Sequence, residues 1–196
     1  MTGHDPLDYG WWLAARSAGV VAYLLLSAGV VLGVAMALRV APPRLRPALR
    51  AAHERLAIVA LVAVGAHALF LLADRWLKPG LLGVLVPFAT PYRPLWTGLG
   101  IIAAYLATAL SLSYYARRRI GGRRWRSAHR FIPVAWALAA VHVIGAGSDA
   151  GSLWLQVPLA LTISLCLIML GQRWLASPAR QRPTRRAPSE PERARL

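Results

Sequence analysis

Four of the chain's five histidines fall into two brackets. His53 and His67 close the run HERLAIVALVAVGAH, and His129 and His142 close HRFIPVAWALAAVH. The members of the pairs are 14 and 13 residues apart. No charged residue lies between Arg55 and His67, and both His67 and His142 have aliphatic neighbours on either side. An ionisable side chain in hydrocarbon is costly and needs a partner. For one such histidine, a carbonyl on a neighbouring helix is as good a partner as a metal. For two bracketed pairs, iron ligation is the better reading: neutral imidazole binds iron through one nitrogen while a carbonyl fixes the other N–H. Two axial imidazoles leave iron no open position, so the expected chemistry is electron transfer rather than oxygen binding.

The elements that must position these rings are membrane helices. The chain of 196 residues is 57% hydrophobic, with mean hydropathy +0.48 and a pI near 11.7. The net charge of +16 would suit nucleic acid. Its arrangement in blocks between long apolar runs is instead a membrane pattern, and no nucleic-acid partner is expected. A span needs about 20 apolar residues. Runs near 12–38, 54–76, 95–116, 129–147 and 153–175 meet that need, which predicts an all-α bundle of five transmembrane helices with haem between the second and the fourth. Residues 81–89 are apolar but too short to cross, and are expected to lie along the surface or dip into it. Residues 1–11 form a short acidic N-terminus with His4 as a solvated bystander, 12–176 the membrane domain, and 177–196 a disordered basic tail. The single cysteine, Cys166, excludes an intrachain disulfide and a thiolate cluster, and is expected to be a packing residue.

Orientation follows from the arginines. Nineteen of the 23 basic residues fall between spans one and two, between spans three and four, or in the tail with Arg173. The other side holds Arg75, Lys78 and Arg93 beside Asp5, Asp8, Asp74 and Asp149. The positive-inside rule therefore predicts a multi-pass protein of the cell membrane, with its N-terminus outside and its C-terminus in the cytoplasm. Spans two and four then run in the same direction. His53 and His129 share an inner level, and His67 and His142 an outer one. A 14-residue step rises about 21 Å and returns to within about 40° of the same helix face. A 13-residue step on a straight helix leaves the second ring about 140° away. Pro133 is expected to relieve this by kinking or starting the helix after His129. Gly65, Ala66 and Gly145 would leave room for a flat macrocycle. Arg126 and Arg130 are candidate partners for haem propionates at the inner level, and Arg75, Lys78 or Arg93 at the outer. Trp136, midway between the levels, is expected to pack or face lipid, with a place between the haems as the alternative.

The two brackets, in this order, resemble the ferric reductase-like transmembrane domain, the family of ferric reductases, NADPH oxidases and the haem-bearing membrane subunit of the bacterial methionine sulfoxide reductase system. The resemblance covers about residues 12–175. It implies two b-type haems, the inner held by His53 and His129 and the outer by His67 and His142. The family commonly has six spans with its haem helices third and fifth; here they are second and fourth of five. The chain carries no Rossmann-type glycine fingerprint. The expectation is thus the electron-transfer membrane subunit of an oxidoreductase without its own flavin or nicotinamide domain. It would relay electrons between a separate donor, of flavin or quinone type, and an acceptor protein or small molecule. The competing readings are a transporter whose histidines bind a metal ion or relay protons, and a cofactor-free anchor whose basic loops hold anionic lipid.

Overall fold

The computed structural model describes residues 9–175; His4 and the tail expected at 177–196 lie outside the described residues. The described chain is helical throughout. In order the helices are α1 (Gly10–Ala37), α2 (Arg46–Ala73), α3 (Gly80–Leu85), α4 (Pro94–Leu112), α5 (Arg117–Ile120), α6 (Gly122–His129), α7 (Ile132–Ala146) and α8 (Leu153–Leu175), with one 3₁₀ turn at Pro43–Leu45. Five segments are long and apolar enough to cross a membrane: α1, the 3₁₀ turn with α2, α4, α6 with α7, and α8. The architecture is therefore an all-α, multi-pass membrane bundle.

Prolines mark the helix starts. Pro47, Pro94 and Pro133 each stand in a first turn, where a missing N–H costs nothing. Pro133 has a larger consequence. The fourth span is two helices rather than one: α6 ends at His129, and α7 begins at Ile132 after a turn at Arg130 and Phe131. The two histidines of that bracket thus belong to different helices, which frees His129 from the 140° offset of a straight helix. Residues 81–89 form no crossing segment. α3 has only six residues, and Leu81 and Leu82 face outward from it.

The bundle is built from two antiparallel hairpins. α1 packs along α2, and α4 along α7; α8 closes the far side of α1. α2 and α7 are not among the closely packed pairs. The core lies on the other side of α1, where Tyr23, Val30 and Val34 meet Trp136 and Ala140 of α7 and Leu159 and Cys166 of α8. A hydrogen-bond chain runs through it. Trp136 Nε1 donates to Ser27 Oγ at 3.0 Å, and Ser27 Oγ donates to the Tyr23 carbonyl at 2.9 Å. Trp136 is therefore a core residue packed on α1. Cys166 is likewise fully buried. At the outer end, Arg16 pairs with Asp149 and lies over the rings of Trp12 and Trp154, tying α1 to the start of α8.

Candidate functional site

The four bracketed histidines form two ring pairs between the hairpins. His53 and His129 have ring centroids 6.2 Å apart with planes at 86°, and His67 and His142 have centroids 6.4 Å apart at 74°. Each pair takes one ring from α2 and one from the α6–α7 segment. All four side chains are half-buried.

The backs of the rings rest on the other two helices. His67 Nδ1 lies 2.7 Å from the carbonyl oxygen of Ala15 on α1, and His142 Nδ1 2.9 Å from that of Trp96 on α4. A carbonyl only accepts, so these Nδ1 atoms carry the proton and each Nε2 keeps its lone pair. The two ring nitrogens lie on opposite sides of the imidazole, so a ring held at Nδ1 presents Nε2 away from the supporting helix. At the inner level the support is looser. His129 Nδ1 is 3.4 Å from the Leu110 carbonyl. His53 Nδ1 is buried beside the Gly29 carbonyl without a hydrogen bond to it.

A regular device makes these carbonyls reachable. Side chains four residues apart stand over one another on a helix, so the Cβ at i+4 shields the free lone pair of carbonyl i. Glycine removes that shield. Four residues after the carbonyls of Ala15, Gly29 and Trp96 stand Gly19, Gly33 and Gly100, and four after Leu110 stands Tyr114. A Cβ at Gly19 would come within 2.9 Å of His67 Nδ1, and one at Gly33 within 3.2 Å of His53 Cε1. At Gly100 it would collide with the His142 ring. The supporting carbonyls are 14 residues apart on α1 (15 and 29) and 14 apart on α4 (96 and 110), the same step as His53 to His67. The hairpins α1–α2 and α4–α7 thus repeat one arrangement of shelf helix and histidine helix.

Arg126 and Arg130 are both exposed and make local contacts, Arg130 Nη2 to Ser127 Oγ at 3.0 Å and Arg126 beside Gly122. The basic residue that is drawn inward at this end is Arg46, whose Nε is buried without a hydrogen-bond partner. With Arg39 and Arg50 it lines a small pocket of about 70 Å³. At the outer end Arg93, in the left-handed region at φ 42°, donates from Nη1 to the Gly145 carbonyl at 2.6 Å. Gly145 gives room to the Trp96 ring rather than to a macrocycle. A Cβ at Gly65, by contrast, would meet nothing within 4 Å.

Aromatic rings surround the inner pair. Trp125 stacks on His129 with centroids 5.2 Å apart, Tyr114 meets Trp125 at 5.7 Å, and Tyr115 meets Tyr114 at 5.4 Å. Tyr115 donates to Glu54 at 2.9 Å, which, with the charge of that carboxylate, raises the phenol above its ordinary pKa. Both line a groove of about 460 Å³ with Ala51, Arg55, Ile58 and Val59. Among the described residues no group of three or more His, Cys, Asp or Glu gathers, so each level offers two imidazoles and no further donor of those types.

Chemically, each level can clamp one metal ion along a single axis. Two imidazoles on opposite sides of one ion have centres about 6 Å apart, given a bond of roughly 2 Å and about 1.1 Å from nitrogen to ring centre. Both observed separations match that span. No family model, no curated protein and no solved structure matches this chain.

Proposed function

We propose that this protein is a membrane electron-transfer subunit holding two b-type haems, one between His53 and His129 and one between His67 and His142. The observation that carries the reading is the doubled spacing: two facing imidazole pairs, 6.2 and 6.4 Å apart, at two depths of one bundle. Two donors per level, with no third His, Cys, Asp or Glu among the described residues, would suit an iron held by a macrocycle rather than by protein alone. Bound there, each haem would supply one-electron chemistry at a coordinatively saturated iron. The protein's part is to hold Nδ1–H on a carbonyl, keep Nε2 as the ligand, and leave the gap between α2 and α7 for flat groups. Arg126 and Arg130, beside His129, and Arg46, with Arg39 and Arg50, are the cations available to meet carboxylates at the inner level. The charge blocks put that level at the cytoplasmic face, with the N-terminus outside and the C-terminus inside. A separate ring-shaped donor, of flavin or quinone type, has a half-apolar groove beside Glu54 and Tyr115 in which to approach.

The test is haem content and the reduced-minus-oxidised spectrum of protein produced with ample haem. The expected result is two b-type haems per chain, falling to one in His67→Ala or His142→Ala and again to one in His53→Ala or His129→Ala. Protein without haem, or a spectrum unchanged by these substitutions, overturns the assignment and favours a transporter or anchor.

A further inference from the structure

The two levels repeat one design but not with equal care. At the outer level both rings are held by short hydrogen bonds, 2.7 and 2.9 Å, over Gly19 and Gly100. At the inner level one bond is stretched to 3.4 Å and the other, to the Gly29 carbonyl, is not well formed. The stretched one shares its acceptor with Ser113 Oγ, which donates to the Leu110 carbonyl at 2.7 Å, and the next residue, Tyr114, stands where the other three shelves carry glycine. Its own ring turns to Trp125 and to the Arg117 guanidinium, 3.8 Å from the centroid.

A hydrogen bond from Nδ1–H to a carbonyl makes the imidazole a stronger electron donor through Nε2. A more basic axial ligand stabilises ferric over ferrous iron and lowers its reduction potential. Charge acts in the same sense. The inner level carries the buried, unpartnered Nε of Arg46, with Arg39 and Arg50 in the same pocket, and Arg173 acts on His129. Nearby cations favour the reduced centre, which has one positive charge fewer. At the outer end Arg16 is neutralised by Asp149, which leaves Arg93, on the Gly145 carbonyl, as a cation beside His142 against the several at the inner level. The outer rings are more enclosed by protein, which acts the other way. That difference shrinks once a macrocycle covers every ring, whereas the ligand bonds and the arginines remain.

Resting on the haem reading above, we infer that the hydrogen-bonded shelf helices order the two irons, the outer His67–His142 site having the lower reduction potential and the inner His53–His129 site the higher. Gly19 and Gly100 are positioning residues for the outer pair, and Ser113 competes with His129 for the inner Leu110 carbonyl.

The test is an anaerobic spectroelectrochemical titration of the full chain loaded with haem, using dithionite and ferricyanide. His53→Ala protein keeps only the outer site and His67→Ala only the inner, so each potential is read alone, with the neighbouring iron removed in both. The expected result is a lower potential in His53→Ala than in His67→Ala. Ser113→Ala, which frees the Leu110 carbonyl for His129 without adding bulk, should move the inner potential down and leave the outer one unchanged. Equal or reversed potentials overturn the inference, as does an inner potential that ignores Ser113→Ala. Failure of the haem reading looks different: no b-type spectrum forms in any variant, and the inference falls with it.

Discussion

Replacing Gly100 by alanine is the sharpest perturbation the structure offers. The added methyl would collide with the His142 ring, lying 2.6 Å from Cγ and 2.7 Å from Cε1. Ordinary contact begins near 3.4 Å and Nδ1 lies closer still, so the ring must retreat by about 1 Å. α4 and α7 are closely packed here, and the retreat has to stretch the 2.9 Å bond to the Trp96 carbonyl. Overpacking of this kind costs about 1–3 kcal/mol, and a buried N–H left without its acceptor about as much. Some of this is shed as the helices adjust. A net loss of about 2 kcal/mol corresponds to roughly 30-fold weaker haem binding at the outer level. The assay is titration of haemin into haem-free protein, with Gly171→Ala on α8 as control, since a Cβ there meets nothing within 4 Å. The expected outcome is one affinity unchanged and one weakened in Gly100→Ala, and two wild-type affinities in the control. Two wild-type affinities in Gly100→Ala would refute the idea that the shelf helix sets the ring.

Three further outcomes follow from the fold. Trp136→Phe removes the indole donor to Ser27 and should lower thermal stability in detergent by about 1 kcal/mol, with Ser27→Ala adding little once the indole is gone; fully additive losses would contradict a direct bond. Cys166, fully buried against Ser27, should resist a membrane-permeant maleimide in folded protein and react on denaturation, so rapid labelling of the native state would contradict its place in the core. Single cysteines introduced at Ser148 and at Arg118 in a Cys166→Ala background should label from the outside and from the cytoplasm respectively; the opposite pattern would invert the orientation.

Much of the fold was readable in the sequence because membrane helices announce themselves by length and hydropathy. The four histidines were readable for the same reason: an imidazole among valines and alanines is conspicuous. The break before α7 was readable from Pro133, which offered a kink or a start, and the structure takes the start. What supports the rings was not readable, because a backbone carbonyl has no letter of its own. Its trace was there all the same in Gly19 and Gly33, spaced like the histidines they face. Gly145 misled because a missing side chain signals close approach without saying by what, and here the guest is Trp96. Arg126 and Arg130 were legible as basic residues beside His129, whereas the buried Nε of Arg46, at the start of α2, depends on how that helix packs and has no local sequence signal.

Since every ring pair borrows one member from each hairpin, neither half of the chain owns a complete clasp. During synthesis the amino-terminal hairpin enters the bilayer with its two imidazoles resting on α1 and nothing opposite them. Only when α7 has been threaded does either clasp close. If the pairs hold haem as proposed, capture waits for α7, and a chain stalled before it would present no finished site to a reactive porphyrin.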